Sequence, residues 1–463
     1  VATANLTQRD TDQRAAIYRR LLHDTILLRT PTSIGERGAS FMYAASNSVV
    51  RNRPPAVQFH DAAIEFRDQM RACLSASGPA SIMPKDESLE AILAAVAQLR
   101  KSHRYSTVLF EGYVADAVRE QSALVETLAA RLEADGLTVL RPAGAVADTW
   151  NNKTRFVDHV RRTLGVEATA PGEVVPVAPV ETVTRVAENY LRATGRALLK
   201  LTGMGGFGNL IVFQQDVDTG ELHDKIARFI DRRPDVDEVR IEEWVPWNQS
   251  VCCSFFIDEH ARATPMEICD QVLSTRTSGF VGGCSLVNLS SADREMIVEW
   301  LRPFMQMVAD DGMRGFLAVD LIISDPRGRP GELLLPQSGQ AVRLVEANMR
   351  INGHNQERWA VAQLAAAHGR GLDDIQHYKA GLNVIGFPDR SAVLAGMAGA
   401  LDGLARPLTA EFVAGEIYYI VTESYGEAHA HRHDSVLMVG EAVTADRFRA
   451  AAEELRRVGL LKA

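Results

Sequence analysis

The stretch FLAVDLIISDPRGRPGELLLPQSGQAVRLVEANMRINGHN, residues 316–355, carries the side chains best suited to chemistry. Asp320 and Glu346 each sit inside an apolar, strand-like run. A carboxylate buried there without a partner costs on the order of several kcal/mol. Asn348 follows Glu346 by two residues, so along a strand both side chains point the same way, and Arg350 continues that face. Two carboxylates and an amide oxygen converging from neighbouring strands suit Mg²⁺, a hard cation that takes oxygen ligands and completes its shell with phosphate and water. An arginine beside them can hold a transferring phosphoryl group or a developing oxyanion. The plainer alternative is a buried ion pair between Arg350 and one of the acids.

A second candidate is GMGGFG at 203–208, preceded by Lys200 in the apolar run GRALLKL. The spacing matches GxGxxG, but a dinucleotide fingerprint needs a helix directly after the glycines. Here NLIVF follows Gly208, and its β-branched and aromatic residues favour a strand. A strand presents no helix N-terminus to a pyrophosphate, and no lysine follows the glycines as a Walker A loop requires. There remains a glycine loop between two antiparallel strands, where backbone N–H groups approach phosphate oxygens and a lysine adds a point charge. A hairpin turn that is merely glycine-rich is the bland alternative.

Other side chains are weaker candidates. His429, His431 and His433 alternate and would share one face of a strand, yet a fourth metal ligand is missing and a solvated loop is the simpler reading. Arg276, in STRTSGFVGG, is placed to reach a reacting carboxylate or to be a plain surface arginine. Cys252 and Cys253 read as core fillers. The five cysteines show no CxxC spacing, which argues against a disulfide framework or zinc site and fits a reducing cytoplasm. Arginine outnumbers lysine 43 to 7, which makes each lysine informative. A net charge of −9 without a basic stripe argues against nucleic acid as partner. The absence of an eighteen-residue apolar run argues against a membrane span, and the polar start VATANLTQRD against a secretory leader.

The elements that must position these groups follow from hydrophobic periodicity. Residues 1–150 alternate helical patterns (12–29, 57–75, 87–101, 117–134) with short apolar strands (105–114, 137–142), the mark of an α/β layer with parallel pairing. Residues 151–365 begin with a helix after Asn152-Lys153, pass an extended link at 170–183, and continue as hairpins near 195–257. Further strands are expected at 265–275, 316–324 and 341–348, with a helix at 291–310. Residues 366–463 read as a small separate unit with strands NVIGF and EIYYIVT, a helix at 391–404 and a closing amphipathic helix at 444–458. The fold class is α/β (α+β).

Taken in order, these pieces resemble the ATP-grasp superfamily. They read NNK (Lys153), ALLK (Lys200), GMGGFG, IEEWV (241–245), AVD (Asp320) and EANMR (346–350), and together span about 151–360. The resemblance implies that Lys153 and Lys200 contact ATP phosphates and that Gly203, Gly205, Gly206, Phe207 and Gly208 close over them. It implies that Glu242, Glu243, Trp244 and Val245 form the adenine hinge, and that Asp320, Glu346 and Asn348 bind magnesium. Arg350, with Lys200 and Arg276, would stabilise the reacting groups. A glutamate for the ribose is usual after the hinge; this chain has Gln249, which accepts the same hydrogen bonds without charge. The sequence RINGH at Arg350 looks like the N-x-R-x-x-G pattern of ligases that join a carboxylate to an amine through an acyl phosphate. The overall plan is similar to peptide ligases of antibiotic biosynthesis, which couple a modified, guanidino-bearing amino acid to a peptide. The implied cofactors are ATP and Mg²⁺, the partners an amino-acid carboxylate and an amine or peptide, and a homodimer stays open. The rival functions are an ATP-binding regulatory protein without catalysis and a nicotinamide-dependent oxidoreductase using 203–208.

Overall fold

The computed structural model describes residues 8–28, 48–49, 81–82, 88–102, 104–110, 119–202, 209–231, 236–273, 280–285, 287–383, 390–408, 413, 415–425, 432–441 and 445–461. Near the amino terminus, helix α1 (Gln8–His23) precedes a parallel sheet in the order β3-β2-β1-β4-β5. Its strands are β1 (Thr25–Leu28), β2 (Ser48–Val49), β3 (Ser81–Ile82), β4 (Thr107–Phe110) and β5 (Thr138–Leu140). Helices α2 (Leu89–Ser102) and α3 (Arg119–Ala134) bury Ile92, Val96, Leu99, Leu128 and Leu132 against Ile26, Leu28, Val108 and Phe110. The expected α/β layer is therefore present, with α1 ending at His23 so that residues 25–28 form a strand rather than extend the helix. The helical pattern read at 57–75 lies outside the described residues.

Two short helices lead into the core, α4 (Gly144–Asn151) and α5 (Lys153–Leu164). Trp150 is fully buried, edge-on to Phe304 at 5.2 Å, and donates from Nε1 to Asp311 at 3.2 Å. The Asn152 side chain caps α5 by accepting from the N–H groups of Thr154 and Arg155. Lys153 is thereby fixed as the first residue of a helix.

A four-stranded antiparallel sheet follows, in the order β6-β9-β7-β8: β6 (Gly172–Pro176), β7 (Arg196–Leu201), β8 (Asn209–Phe213) and β9 (Glu238–Glu243). Leu199, Leu201, Val239 and Ile241 pack against α6 (Val180–Thr194) and the helix at Leu222–Ile230, with α7 (Gln214–Asp218) between; that second helix is α8. Alternation sends Lys200, Arg240 and Glu242 to the other face.

The largest element is a ten-stranded sheet in the order β14-β15-β13-β10-β11-β12-β16-β19-β18-β17. Its strands are β10 (Gln249–Ile257), β11 (Ala263–Leu273), β12 (Phe280–Cys284), β13 (Gly315–Ser324), β14 (Leu333–Leu334), β15 (Ala341–Asn348), β16 (Ile375–Gly381), β17 (Arg406–Pro407), β18 (Ile417–Tyr425) and β19 (Arg432–Glu441). Helix α9 (Ser291–Asp310) lays Ile297, Leu301, Phe304 and Val308 on one face, against Leu317, Val319, Leu321 and Ile323 of β13. Helix α10 (Gly353–Ala367) covers the other face, with Trp359 and Leu364 near Phe256 and Phe316.

The last hundred residues do not make a sheet of their own. β16 pairs with β12 of the core (Gly282↔Ala380), and β19, β18 and β17 extend the same sheet. Helices α11 (Arg390–Ala400) and α12 (Ala445–Arg457) pack on it through Val393, Met397, Phe448 and Leu455. The join depends on Gly282 and Gly283: a Cβ at 282 would lie 1.9 Å from the Lys379 carbonyl oxygen, and one at 283 would lie 2.2 Å from His354 Nδ1. The strand read as NVIGF falls mostly outside the described residues, and the neighbouring strand is β16.

Candidate functional site

Strand alternation and one irregularity together build the acidic centre. On β13 the residues with odd numbers face α9, so Asp320 faces away from that core. On β15, Val342 and Leu344 also face α9, and strict alternation would bury Glu346 among them. Asp320 pairs with Glu346 while the next residue, Leu321, pairs with Leu344, so Val345 is bulged out of the ladder. The bulge switches the side-chain parity: Ala347 and Met349 return to the α9 core, and Glu346 turns towards Asp320.

The two acids share one pocket of charge. Asp320 Oδ1 and Glu346 Oε2 are buried and have no hydrogen-bond donor. Burial first, and then the neighbouring Glu346, push the Asp320 carboxyl up to about 7. Asn348 Nδ2 donates to Asp320 Oδ2 at 3.1 Å, and Arg350 Nη2 donates to Asn348 Oδ1 at 3.1 Å. Arg350 thus bonds to the amide rather than to either acid, which leaves Asp320 Oδ1 and Glu346 Oε2, on adjacent strands, without a hydrogen bond, the latter facing Lys153 as an ion pair at 3.6 Å. That donor set fits a hard divalent cation held by Asp320, Glu346 and Asn348, whose amide oxygen retains a second lone pair.

The lysines close on the same place from the small sheet. Lys153 Nζ lies 2.5 Å from Asn209 Oδ1 and 3.6 Å from Glu346 Oε2, and burial lowers its pKa. Lys200 Nζ contacts Glu242 Oε2 at 2.7 Å and donates to the carbonyl of the bulged Val345 at 3.1 Å. Both ammonium groups are almost entirely buried. Arg240 Nε lies 2.7 Å from Glu242 Oε1, so one carboxylate holds two cations. Burial pushes the Glu242 carboxyl up, but Lys200 and Arg240 outweigh it and hold the group below its ordinary range.

The hinge residues divide by role. Glu242 is inside the small sheet's polar face, as a counter-charge to Lys200 and Arg240. Glu243 Oε2 accepts from Arg327 at 2.8 Å, and its backbone N–H donates to the Pro171 carbonyl at 2.9 Å. Trp244 lies against Trp247 at 4.8 Å, and Val245 is buried. Gln249 is not brought to the acids: its amide donates to Asp270, on the α9 side of the sheet. The neighbour that faces the acidic side is Ser250, whose Oγ donates to Gln271 Oε1 at 2.6 Å. Arg276, His429, His431 and the loop Gly203, Gly205, Gly206, Phe207 and Gly208 lie outside the described residues, while His433 is the second residue of β19, opposite Ser424.

Several contributors carry no sequence signal of the motif kind. Asn209 is the partner of Lys153 and pairs with Lys200 across the hairpin that encloses the glycine loop. Cys252 lies opposite Asp320 and accepts from Asn352 Nδ2 at 3.3 Å. The glycine loop does join two antiparallel strands, β7 and β8, with no helix directly after it. Among the described residues, no helix is long and apolar enough to cross a membrane.

No protein-family model matches this chain, and no curated protein does. Solved structures do. The biotin carboxylase domain of Hydrogenobacter thermophilus 2-oxoglutarate carboxylase, in complex with MgADP, ADP and bicarbonate, is 14% identical at a TM-score of 0.55, over 93% of this chain and 90% of that one. Carboxyaminoimidazole ribonucleotide synthase from Aspergillus clavatus, complexed with ATP, is 14% identical at 0.53, over 94% and 99%. Biotin carboxylase from Campylobacter jejuni is 11% identical at 0.53, over 96% and 92%. At such identities the likeness speaks for architecture, and it extends along nearly the whole chain: this protein has the ATP-grasp fold.

Proposed function

We propose that this chain is an ATP- and magnesium-dependent ligase that activates a carboxylate as an acyl phosphate and joins it to an amine, releasing ADP and phosphate. The observation that carries this reading is the pair of buried carboxylate oxygens without a hydrogen bond on Asp320 and Glu346, with Lys153, Lys200 and Arg350 arrayed round them. The neighbours supply the analogy, since their structures hold ATP or ADP, one with magnesium and bicarbonate. Magnesium bound by the two acids and Asn348 would supply charge neutralisation on the phosphates. Lys153 and Lys200 each make two contacts, and an ammonium has three protons, which leaves each a donor for a phosphate oxygen. Arg350 then steadies charge on the transferring group, so that catalysis is mainly positioning and electrostatics. We further propose that the carboxylate belongs to an amino acid and the amine to an amino acid or peptide, giving a peptide bond.

Two measurements bear on this reading. Calorimetric titration should give ATP binding that strengthens with Mg²⁺ and no NAD⁺ binding; the reverse preference would restore the dinucleotide reading of the glycine loop. Lys200→Ala should weaken ATP binding and slow turnover together, because the ammonium meets phosphate charge in ground and transition states alike. Lys200→Arg should restore only part, since a planar fork replaces a point charge. Unchanged KM for ATP and kcat in Lys200→Ala would make the loop a mere turn.

A further inference from the structure

Under α10, on the face of the large sheet that carries Asp320, three side chains of metal-ligand type converge. Glu267 and Cys269 lie two residues apart on β11 and share that face, while Ile268 between them packs into the α9 core. Cys269 pairs with Cys252, and Cys252 with Asp320, so the acidic centre stands two strands away, about 10 Å at the usual strand spacing. His377 comes from β16, on the far side of β12. It reaches back across β12 where the chain carries only small residues. Gly283 has no side chain, and Ser285 turns its hydroxyl onto the His377 backbone carbonyl at 3.2 Å. One ligand atom from each of Glu267, Cys269 and His377 falls within 4.8 Å of the others. Motif spacing carries no trace of the group, since its members come from strands far apart in the chain.

A buried network of ion pairs explains only part of this arrangement. Glu357 of α10 meets Lys379 at 3.0 Å, and Glu267 faces Arg358 at 3.6 Å, so both carboxylates have counter-charges. His377 is left over: it is fully buried, and neither ring nitrogen makes a hydrogen bond, although Glu357 Oε2 stands 3.4 Å from Nε2. Such an imidazole is costly unless something binds it, and a metal bond would satisfy it. The donor set then selects the ion. Sulfur, nitrogen and oxygen together suit zinc and its neighbours, whereas Mg²⁺ takes oxygen alone. Zinc would take the Cys269 thiolate, whose proton leaves to solvent, and the Glu267 carboxylate, two negative charges for a doubly charged ion. Lys379 and Arg358 remain as outer partners of the carboxylates. Glu357, beside His377 in the roof, is the group from which a fourth ligand can come.

We propose that Glu267, Cys269 and His377, completed by Glu357, form a structural site for a zinc-class ion that fastens α10 to the sheet. Asn352 caps α10 and donates to Cys252, the strand partner of Asp320, so the ion would steady the reaction face without joining phosphoryl transfer. The site stands independently of the ligase reading. The test uses full-length protein produced in zinc-supplemented medium and purified with Mg²⁺ present throughout. Elemental analysis should find stoichiometric zinc that Mg²⁺ does not displace. After the zinc is stripped by a chelator, added Co²⁺ should give a near-ultraviolet sulfur-to-cobalt charge-transfer band. Cys269→Ser should abolish that band and weaken zinc binding by more than the roughly 10–100-fold that loss of an outer partner costs. Cys284→Ser, on the opposite face of the sheet, should keep both. Zinc should raise the melting temperature of the wild type and leave Cys269→Ser unmoved. Absence of both zinc and the cobalt band in the wild type, or a band that survives Cys269→Ser, overturns the proposal. The two wild-type readings need no variant, so they decide the matter even if Cys269→Ser does not fold.

Discussion

Glu346→Gln and Asp320→Asn are each expected to lower ADP formation at least about a hundredfold, because a lost metal ligand removes transition-state charge stabilisation. The stability of the same variants should move the other way. Asp320 has a raised pKa in the folded chain through burial and the neighbouring Glu346. A carboxyl raised in this way stabilises the fold at low pH, and that contribution is lost as pH climbs from the ordinary aspartate range through about 7. Above that pH the metal-free protein holds two ionised acids side by side. Asp320→Asn removes the repulsion while an amide still accepts from the neighbouring groups. Metal-free Asp320→Asn should therefore melt several degrees above wild type at pH 8, a gain of roughly 1–3 kcal/mol, and the gain should shrink at pH 5. Thermal melts with a chelator decide the matter; a variant that is less stable than wild type at pH 8 would mean that the acids do not repel.

Glu242→Leu is the second large effect, this time on stability. The carboxylate is buried with Lys200 on one oxygen and Arg240 on the other. Its removal leaves two buried cations without a counter-charge, at a cost of about 3–5 kcal/mol. Glu242→Gln, which keeps one acceptor oxygen for Lys200 or Arg240 and turns the other into an amide NH2, should lose less. Urea unfolding read by tryptophan fluorescence would give the ordering, Leu below Gln below wild type. Equal midpoints for all three would show that Lys200 and Arg240 find other partners.

Why some of this was legible in the sequence and some was not has a physical basis. Helix 291–310 and strand 341–348 carry plain periodicity, and they fold over those residues. The glycine loop reads as a hairpin because NLIVF does not open a helix easily, and β8 forms there. Strands β12, β16 and β19 carry little strand signal, for reasons specific to each. β12 is weakened by Gly282 and Gly283, which serve close packing rather than strand propensity. β16 mixes in His377 and Lys379 because Glu357 of α10 meets them, at 3.4 Å and 3.0 Å. β19 begins with the polar residues of the histidine-rich stretch. Without those strands the last hundred residues look separate, although they complete the core sheet.

At the site, residue types were visible but parity was not. Simple alternation puts Glu346 and Asn348 on one face, yet they reach Asp320 only because Val345 is bulged. A bulge depends on the partner strand and leaves little trace in one strand's sequence. Gln249 illustrates the converse. One position decides which face a strand residue takes, and Gln249 falls on the Asp270 side while Ser250 faces the acids. Glu242 belongs with the hinge by its neighbours in sequence, but β7 and β9 pair so that its carboxylate meets Lys200.

The most direct test of the central claim is substrate-dependent ADP release by the full-length protein, with ATP and magnesium, across a panel of amino acids and short peptides. The account predicts that one carboxylate together with one amine raises ADP release well above the background of ATP alone. The product should be an amide of matching mass, and Glu346→Gln should make none. If no pair in the panel raises ADP release while ATP is shown to bind, the ligase account is contradicted and the fold serves nucleotide binding without ligation.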